Sequence, residues 1–366
     1  VLERTANAIE EARGGKKSKG FKFPNAKSFP WQSLAHPLLQ QMATTSPQES
    51  QFMAVFHSSL MDLMQDHTIH GRTLFPGAGF VEMALAAQLQ HVSKQAGAGG
   101  LGVELRDVVF LEPLDLMEGV KLTCNVVSGE GMEFHKTEDS AVVCTVGQAS
   151  SLSSMTAAGP SNLAMLRQTC VTAVPGVKER YADLEHMGLH RRQFQTLAEV
   201  WRSESKEQLL ARLQVPTSSQ LYHVHPALLD GIIQLVGFVG STERDTGMKA
   251  FVPATIGQVQ LLESLSGRQQ RFDDTQGVWA GGQVVDLTAR GRVMHFDLFD
   301  TATEAVALSL RDFRFAELKP PPPSSALYEV RWTEAQLRHD SVTETPKMLM
   351  VLSLPECRSP ALSIVT

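Results

Sequence analysis

The sequence predicts an α+β fold of two tandem lobes, each a curved antiparallel sheet wrapped around one long helix. Three observations carry this. An apolar helix opens at Pro76-Gly77, with Phe80, Val81, Ala84, Leu85 and Leu89 recurring at helical spacing and Glu82 and Gln88 off that face. A second runs from Pro226 to Phe238, with Leu228, Leu229, Ile232, Ile233 and Val236 apolar. Around each lie short segments of strand character. One sheet curled about one helix is the hot-dog arrangement, so two in tandem make a double hot-dog.

Composition sets the frame. A chain of 366 residues, 43% hydrophobic and 20% charged, can bury a sizeable core. A net charge of −6 gives no general reason to expect nucleic acid or an anionic membrane as partner. No apolar run approaches the length of a membrane span. Cys124, Cys144, Cys170 and Cys357 are scattered without CxxC pairing, which points to reduced thiols and a cytoplasmic setting. Val1-Leu2-Glu3-Arg4 has neither a signal-peptide apolar core nor an initiating Met, as expected of a piece of a longer polypeptide.

In chain order, the basic run Gly14 to Gly20 reads as a solvated linker rather than a nucleic-acid arm. Phe23-Pro24 through Trp31 alternates aromatics with prolines and lies extended. Gln51 to Leu60 is a half-buried strand with Phe52, Ala54 and Phe56 inward, and Arg72 to Phe75 a short one before the first helix. Val103 to Leu111, Lys121 to Val127 and Ala141 to Val146 supply further strands, with Gly129-Glu130-Gly131 as a turn. Residues Ala149 to Ser161, rich in Ser, Ala and Gly, form an inter-lobe linker. In the second lobe, Gln193 to Trp201 and Glu207 to Leu213 are strand-like. Four more strands follow the helix: Phe251 to Leu262, Val278 to Leu287, Val293 to Phe299 and Ala305 to Phe315. The proline run Pro320 to Pro323 ends the domain, since it cannot continue a sheet.

The chemistry centres on Asp66 to Phe80. An ionisable imidazole, His67, precedes the glycine turn at Gly71, and the apolar run ends at the Pro76-Gly77 corner that opens the helix. A histidine on such a loop, near backbone N–H groups at a helix start, suits removal of a proton next to a carbonyl. The bland alternative is a structural histidine capping the turn. Asp230 sits in an otherwise apolar helix start, where burial favours the protonated acid, ready to donate; otherwise it satisfies first-turn N–H groups. Gln234, four residues on, shares its helix face and can orient the Asp230 carboxyl. Gly77 offers an N–H unobstructed by a side chain, or merely permits a tight turn. Gly97 to Gly102 formally matches GxGxxG but follows a helix and precedes a strand, the reverse of a dinucleotide site. His67 with His70, and His223 with His225, are drawn together as possible metal ligands, but no carboxylate or cysteine completes a familiar spacing.

His67, Gly71 and Pro76 fit the HxxxGxxxxP pattern, and His225-Pro226-Ala227-Leu228-Leu229-Asp230-Gly231-Ile232-Ile233-Gln234 resembles the HPALLDxxxQ segment, of dehydratase domains of modular type I polyketide synthases. His36-Pro37-Leu38-Leu39 resembles the family's HPLL start, and Asp107 to Leu114 its DVxFxxPL. Phe23 to Trp31 resembles the linker that follows an acyltransferase domain. Leu327 to Trp332 resembles the strand that opens a ketoreductase-type structural region. The resemblance runs from about His36 to Leu318.

It implies a double hot-dog that dehydrates a (3R)-hydroxyacyl chain on an acyl carrier protein to a trans-2-enoyl thioester. His67 would be the base, Asp230 the acid and Gln234 their companion. Gly71, Pro76, Gly77, Phe194, His225 and Pro226 would lie along the substrate. No cofactor or metal of its own is implied, since the phosphopantetheine belongs to the carrier. The implied partners are that carrier, neighbouring acyltransferase and ketoreductase-type domains of the same polypeptide, and a second copy in a homodimer. The implied layout is a linker over 1–35, a lobe over 36–150, a linker over 151–177, a lobe over 178–318 and a Pro-rich linker with the start of a following region over 319–366.

One segment departs from the pattern. Where the family carries YGPxFQ, Gly188-Leu189 is followed by His190-Arg191-Arg192-Gln193-Phe194-Gln195, so only Phe194-Gln195 persists. That bears on substrate shape. Arg191 or Arg192 is expected to meet a carrier's acidic face or the phosphopantetheine phosphate, or else to be a solvated pair. Gly231 replaces an alanine, at a cost to the helix of roughly 1 kcal/mol. A double-bond isomerase or cyclase on the same fold, and a silent docking domain, are the competing readings. An isomerase commonly lacks the acidic partner.

Overall fold

The computed structural model describes residues 31–46, 48–69, 71–95, 102–152, 163–186, 192–216, 221–239, 251–262, 277–288, 291–300 and 303–317. The compact unit ends at Glu317. Residues 1–30 of the N-terminal linker, His70, most of the GxGxxG match, residues 187–191 and everything past Glu317 lie outside the described residues.

The first half runs β1 (Trp31–Ser33), β2 (Gln41–Ser46), β3 (Glu49–Val55), α1 (Ser58–Met64), β4 (Thr68–Ile69), β5 (Arg72–Thr73), α2 (Gly77–Gln95), β6 (Gly102–Phe110), β7 (Lys121–Val127), β8 (Gly131–Lys136) and β9 (Val142–Leu152). The second runs α3 (Leu163–Thr169), β10 (Thr172–Ala173), α4 (Val177–His186), a 3-10 turn (Arg192–Phe194), β11 (Leu197–Arg202), β12 (Gln208–Leu213) and α5 (Pro226–Gln234), which tightens into 3-10 over Leu235–Phe238. It closes with β13 (Phe251–Leu261), β14 (Val278–Leu287), β15 (Gly291–Phe299) and β16 (Val306–Glu317).

All but β4 and β5 join one 14-stranded sheet, ordered β1-β2-β3-β7-β8-β9-β6-β13-β16-β15-β14-β12-β11-β10. Seven strands come from each half, and the seam is the antiparallel β6–β13 ladder, from Thr255 opposite Val109 to Leu261 opposite Val103. In the first half the sheet holds α2, against β6, β7 and β9; in the second it holds α5, against β12, β14 and β15. The two helices also touch each other. A single hydrophobic cluster runs from Leu38 through both helices to Phe315.

Burial of α2 is nearly all-round. Ala78, Phe80, Val81, Met83, Ala84, Leu85, Ala86 and Ala87 are buried, and so are Glu82, Gln88 and His91. From Ala78 to Gln88 the helix is enclosed by its own sheet and has no solvent face, so the polar residues read as off-face are inside. Each then needs partners. His91 has them in Ser50 and Ser128, at 2.9 and 2.7 Å from its two ring nitrogens.

Four boundaries differ from the sequence reading. The strand expected to reach Leu60 stops at Val55, because Leu60, Leu63 and Met64 repeat at helical spacing and bury as α1. The segment Arg72 to Phe75 is only a two-residue strand, closed as a hairpin on Thr68-Ile69. The strand expected over Ala141 to Val146 continues to Leu152, well into the Ser/Ala-rich stretch. Backbone pairing to β6 (Ser151 opposite Val103) holds it where its small side chains give no apolar signal. Residues 192–194 form a turn rather than the start of a strand, and β8, α3 and α4 are additional elements.

Candidate active site

The β4–β5 hairpin shapes the first half of the site. Gly71 turns it with φ +76°, a conformation that strains any side-chain-bearing residue. Thr68 pairs with Thr73, which brings Leu74 back beside His67. The Leu74 N–H donates to the His67 carbonyl at 3.1 Å, and the Leu74 carbonyl lies 2.8 Å from His67 Nδ1. A carbonyl only accepts, so Nδ1 carries the hydrogen, and in the neutral ring Nε2 is the basic nitrogen. The ring is 5% exposed and lies 5.1 Å, centroid to centroid, from the Phe194 ring.

The second half is set by α5. Pro226 stands in its first turn, where its missing N–H costs nothing. His225 caps the start: its Nδ1 accepts from the Ala227 N–H at 3.1 Å, and burial pushes its pKa down to about 4, so the ring stays neutral and able to accept. One turn on, Asp230 is 5% exposed with one oxygen 4.0 Å from His67 Nε2. Its other oxygen accepts from Gln234 Nε2 at 2.7 Å.

Gln234 is itself fixed. Its amide nitrogen also donates to the Phe194 carbonyl at 2.9 Å, and its oxygen accepts from the Tyr181 hydroxyl at 2.6 Å. Burial pushes the Tyr181 phenol up against the opposing effect of the Leu197 N–H, so it stays a donor. A carboxyl with one oxygen tied by a clamped amide presents the other in a set direction. The imidazole comes from one half of the chain and the carboxyl from the other.

Gly77 begins α2, where backbone N–H groups have no acceptor within the helix. A Cβ there would stand 3.3 Å from Pro253 and 3.4 Å from the Phe110 ring, so the residue sits in the angle between β6 and β13. Pro76 accepts through its carbonyl from the Gly79 and Phe80 N–H groups at 2.8 and 3.3 Å.

Of the residues singled out from the sequence, His67, Phe194, Asp230 and Gln234 meet in one cluster. Gly71 and His225 shape the two elements that deliver them. Tyr181, the Leu74 carbonyl and Gln193 were missed. Gln193 donates from its side chain to the Asp62 carbonyl at 2.9 Å and to the Asp66 carboxylate at 3.3 Å, tying the departing segment to the residue before His67. Only tertiary contact reveals these roles. Among the described residues no three His, Cys, Asp or Glu side chains gather as a metal site, and no helix is long and apolar enough to cross a membrane.

Two family models match the chain: the polyketide synthase dehydratase domain over residues 36–137, and the polyketide synthase dehydratase N-terminal domain over residues 158–324. The chain belongs to the polyketide synthase dehydratases. This dehydratase domain is 23% identical to the highly reducing polyketide synthase acrA of Aspergillus aculeatus over 352 residues, 88% of the chain but 14% of that protein. It is 24% identical to polyketide synthase PksM of Bacillus subtilis over 243 residues, 61% of the chain and 6% of that protein. Among solved structures it is similar to the dehydratase domain from the CurF module of curacin polyketide synthase, with a TM-score of 0.63, 19% identity, and coverage of 78% of this chain and all of that one. The fold is the double hot-dog of those domains. The dehydratase spans a small fraction of the length of the curated relatives it matches.

Proposed function

We propose that this dehydratase domain removes water from a (3R)-hydroxyacyl thioester to give a trans-2-enoyl thioester. One observation carries the proposal: the 4.0 Å between His67 Nε2 and Asp230, each group held from behind by a hydrogen-bond partner. Elimination needs a base at the α-carbon and an acid at the hydroxyl on the next carbon, and two groups this close serve neighbouring atoms from one side. His67 Nε2 takes the α-proton. The charge that grows on the thioester oxygen is steadied by the Gly77 N–H at the start of α2. As the Cβ–O bond breaks, Asp230 in its acid form gives its proton to the departing hydroxyl, which leaves as water. The imidazolium then returns the proton to the Asp230 carboxylate. Gln234 keeps the reacting oxygen turned towards the substrate.

Two similar solved structures, with TM-scores of 0.63 and 0.61, are a CurJ dehydratase with histidine changed to phenylalanine and a CurK dehydratase with aspartate changed to asparagine. Both are described as inactive mutants, which supports giving His67 and Asp230 the two roles here. The proposal extends to a substrate carried on the phosphopantetheine of an acyl carrier protein, with no cofactor bound by this domain. It also extends to flanking linkers that join it to acyltransferase and ketoreductase-type neighbours, a homodimer, and a cytoplasmic setting without nucleic acid or membrane as partner.

The test is incubation with a 3-hydroxyacyl pantetheine thioester, followed by mass spectrometry for loss of water. The native domain is expected to form the enoyl product, and His67→Ala and Asp230→Asn to be slower by about 10²-fold or more. Equal turnover by His67→Ala ends the assignment.

A further inference from the structure

Among the described residues outside the catalytic cluster, the most enclosed charged group is Glu82, in the middle of α2 and 0% exposed. One oxygen accepts from the His223 N–H at 2.7 Å and lies 3.0 Å from His36 Nε2; the other accepts from the Val224 N–H at 2.9 Å. His36 Nδ1 accepts from the Leu38 N–H at 3.2 Å, so its hydrogen is on Nε2 and points at the carboxylate. Glu82 therefore receives three N–H donors. Two of them belong to the backbone that leads straight into His225, the cap of α5. The surroundings are equally ordered, with the His36 ring stacked on His223 at 5.8 Å and edge-on to Tyr222 at 5.7 Å, and Tyr222 edge-on to His225 at 4.8 Å.

A buried carboxylate satisfied in this way is an anchor of fixed direction, because moving either partner strands a charge in the interior. Glu82 lies on the helix that begins at Gly77, and its partners lie at the entrance to the helix that bears Asp230. We infer that Glu82 is a positioning residue: it pins the start of α5 to α2 and thereby sets the gap between Asp230 and His67. The inference deepens the dehydration proposed above and rests on it. A few tenths of an ångström at this anchor are passed one helical turn along to the reacting oxygen, and misplaced groups lose rate rather than affinity.

The test compares the native domain with Glu82→Gln and Glu82→Asp, using a 3-hydroxyacyl pantetheine thioester. Glutamine cannot accept from both backbone N–H groups with its two heads, and aspartate keeps the charge but falls short. Both variants are expected to unfold cooperatively as the native domain does, with kcat reduced about tenfold or more and KM within about twofold. A kcat within twofold of native for both variants overturns the inference, as does a loss confined to KM. Should neither variant fold, amide hydrogen exchange of the native domain decides. His223 and Val224 N–H protected like the core of α5 upholds the anchor, and exchange at open-loop rates refutes it. A native domain that forms no enoyl product defeats the dehydration reading instead, and the exchange experiment still reports on the anchor by itself.

Discussion

Thr68 follows the proposed base directly and is 4% exposed, yet among the described residues its hydroxyl has no hydrogen-bond partner. A buried hydroxyl left unpaired costs about 1–3 kcal/mol. Thr68→Val is therefore expected to raise the thermal midpoint by a few degrees. If activity falls while the midpoint rises, the hydroxyl serves the substrate; if both are unchanged, the burial cost is smaller than argued. His225 gives a second outcome. With its folded pKa near 4 against an ordinary 6.5, the unfolded chain takes up the proton first. Its contribution is complete above pH 6.5 and is lost as pH falls towards 4, by about 3 kcal/mol in all. His223 and His91, also lowered by burial, slope the same way, so the measure is a difference. Urea titrations at pH 7 and pH 4.5 are expected to show a smaller loss for His225→Asn, which keeps a capping oxygen but does not titrate.

Among the elements, α5 combines the strongest apolar pattern with the least room. A Cβ on Gly231 would fall 1.9 Å from Thr196 Oγ1 and 2.8 Å from Leu213 Cδ2, and that hydroxyl donates to the Ala227 carbonyl at 3.3 Å. Alanine at this position would gain roughly 1 kcal/mol of helix propensity, but overpacking costs about 1–3 kcal/mol. Gly231→Ala is thus expected to lower stability, and Thr196→Ala in the same chain to restore part of it, as a double-mutant cycle by urea unfolding reads directly. The glycine that departs from its family's alanine answers to a threonine on another segment. That pairing has no trace in local spacing. The same contrast runs through the whole chain. Helix α5 and strands β13 to β16 were legible because Ile232, Ile233, Val259 and Phe313 repeat at regular periods. His67 and Asp230 were legible because each sits in a short motif. Strand β8 was not, having only Met132 and Phe134 between two polar turns. Neither was Glu82, whose polar side chain at a helical position reads as a solvent face until the sheet is seen to close over it.

At the scale of the molecule, the two halves share one sheet and one core, so they are expected to unfold together. With Trp31 and Trp332 changed to phenylalanine, Trp201 and Trp279, 5.5 Å apart in the second half, report on that half by fluorescence, whereas far-UV circular dichroism reports on both. Coincident urea midpoints are the expected outcome, and two separated transitions would show that the β6–β13 seam couples the halves weakly. The seam has a further consequence. Six residue pairs in register, from Thr255 with Val109 to Leu261 with Val103, stitch the half that carries His67 to the half that carries Asp230. The proposed pair is thereby riveted to one backbone scaffold, and drawing the two side chains apart means breaking rungs of that ladder.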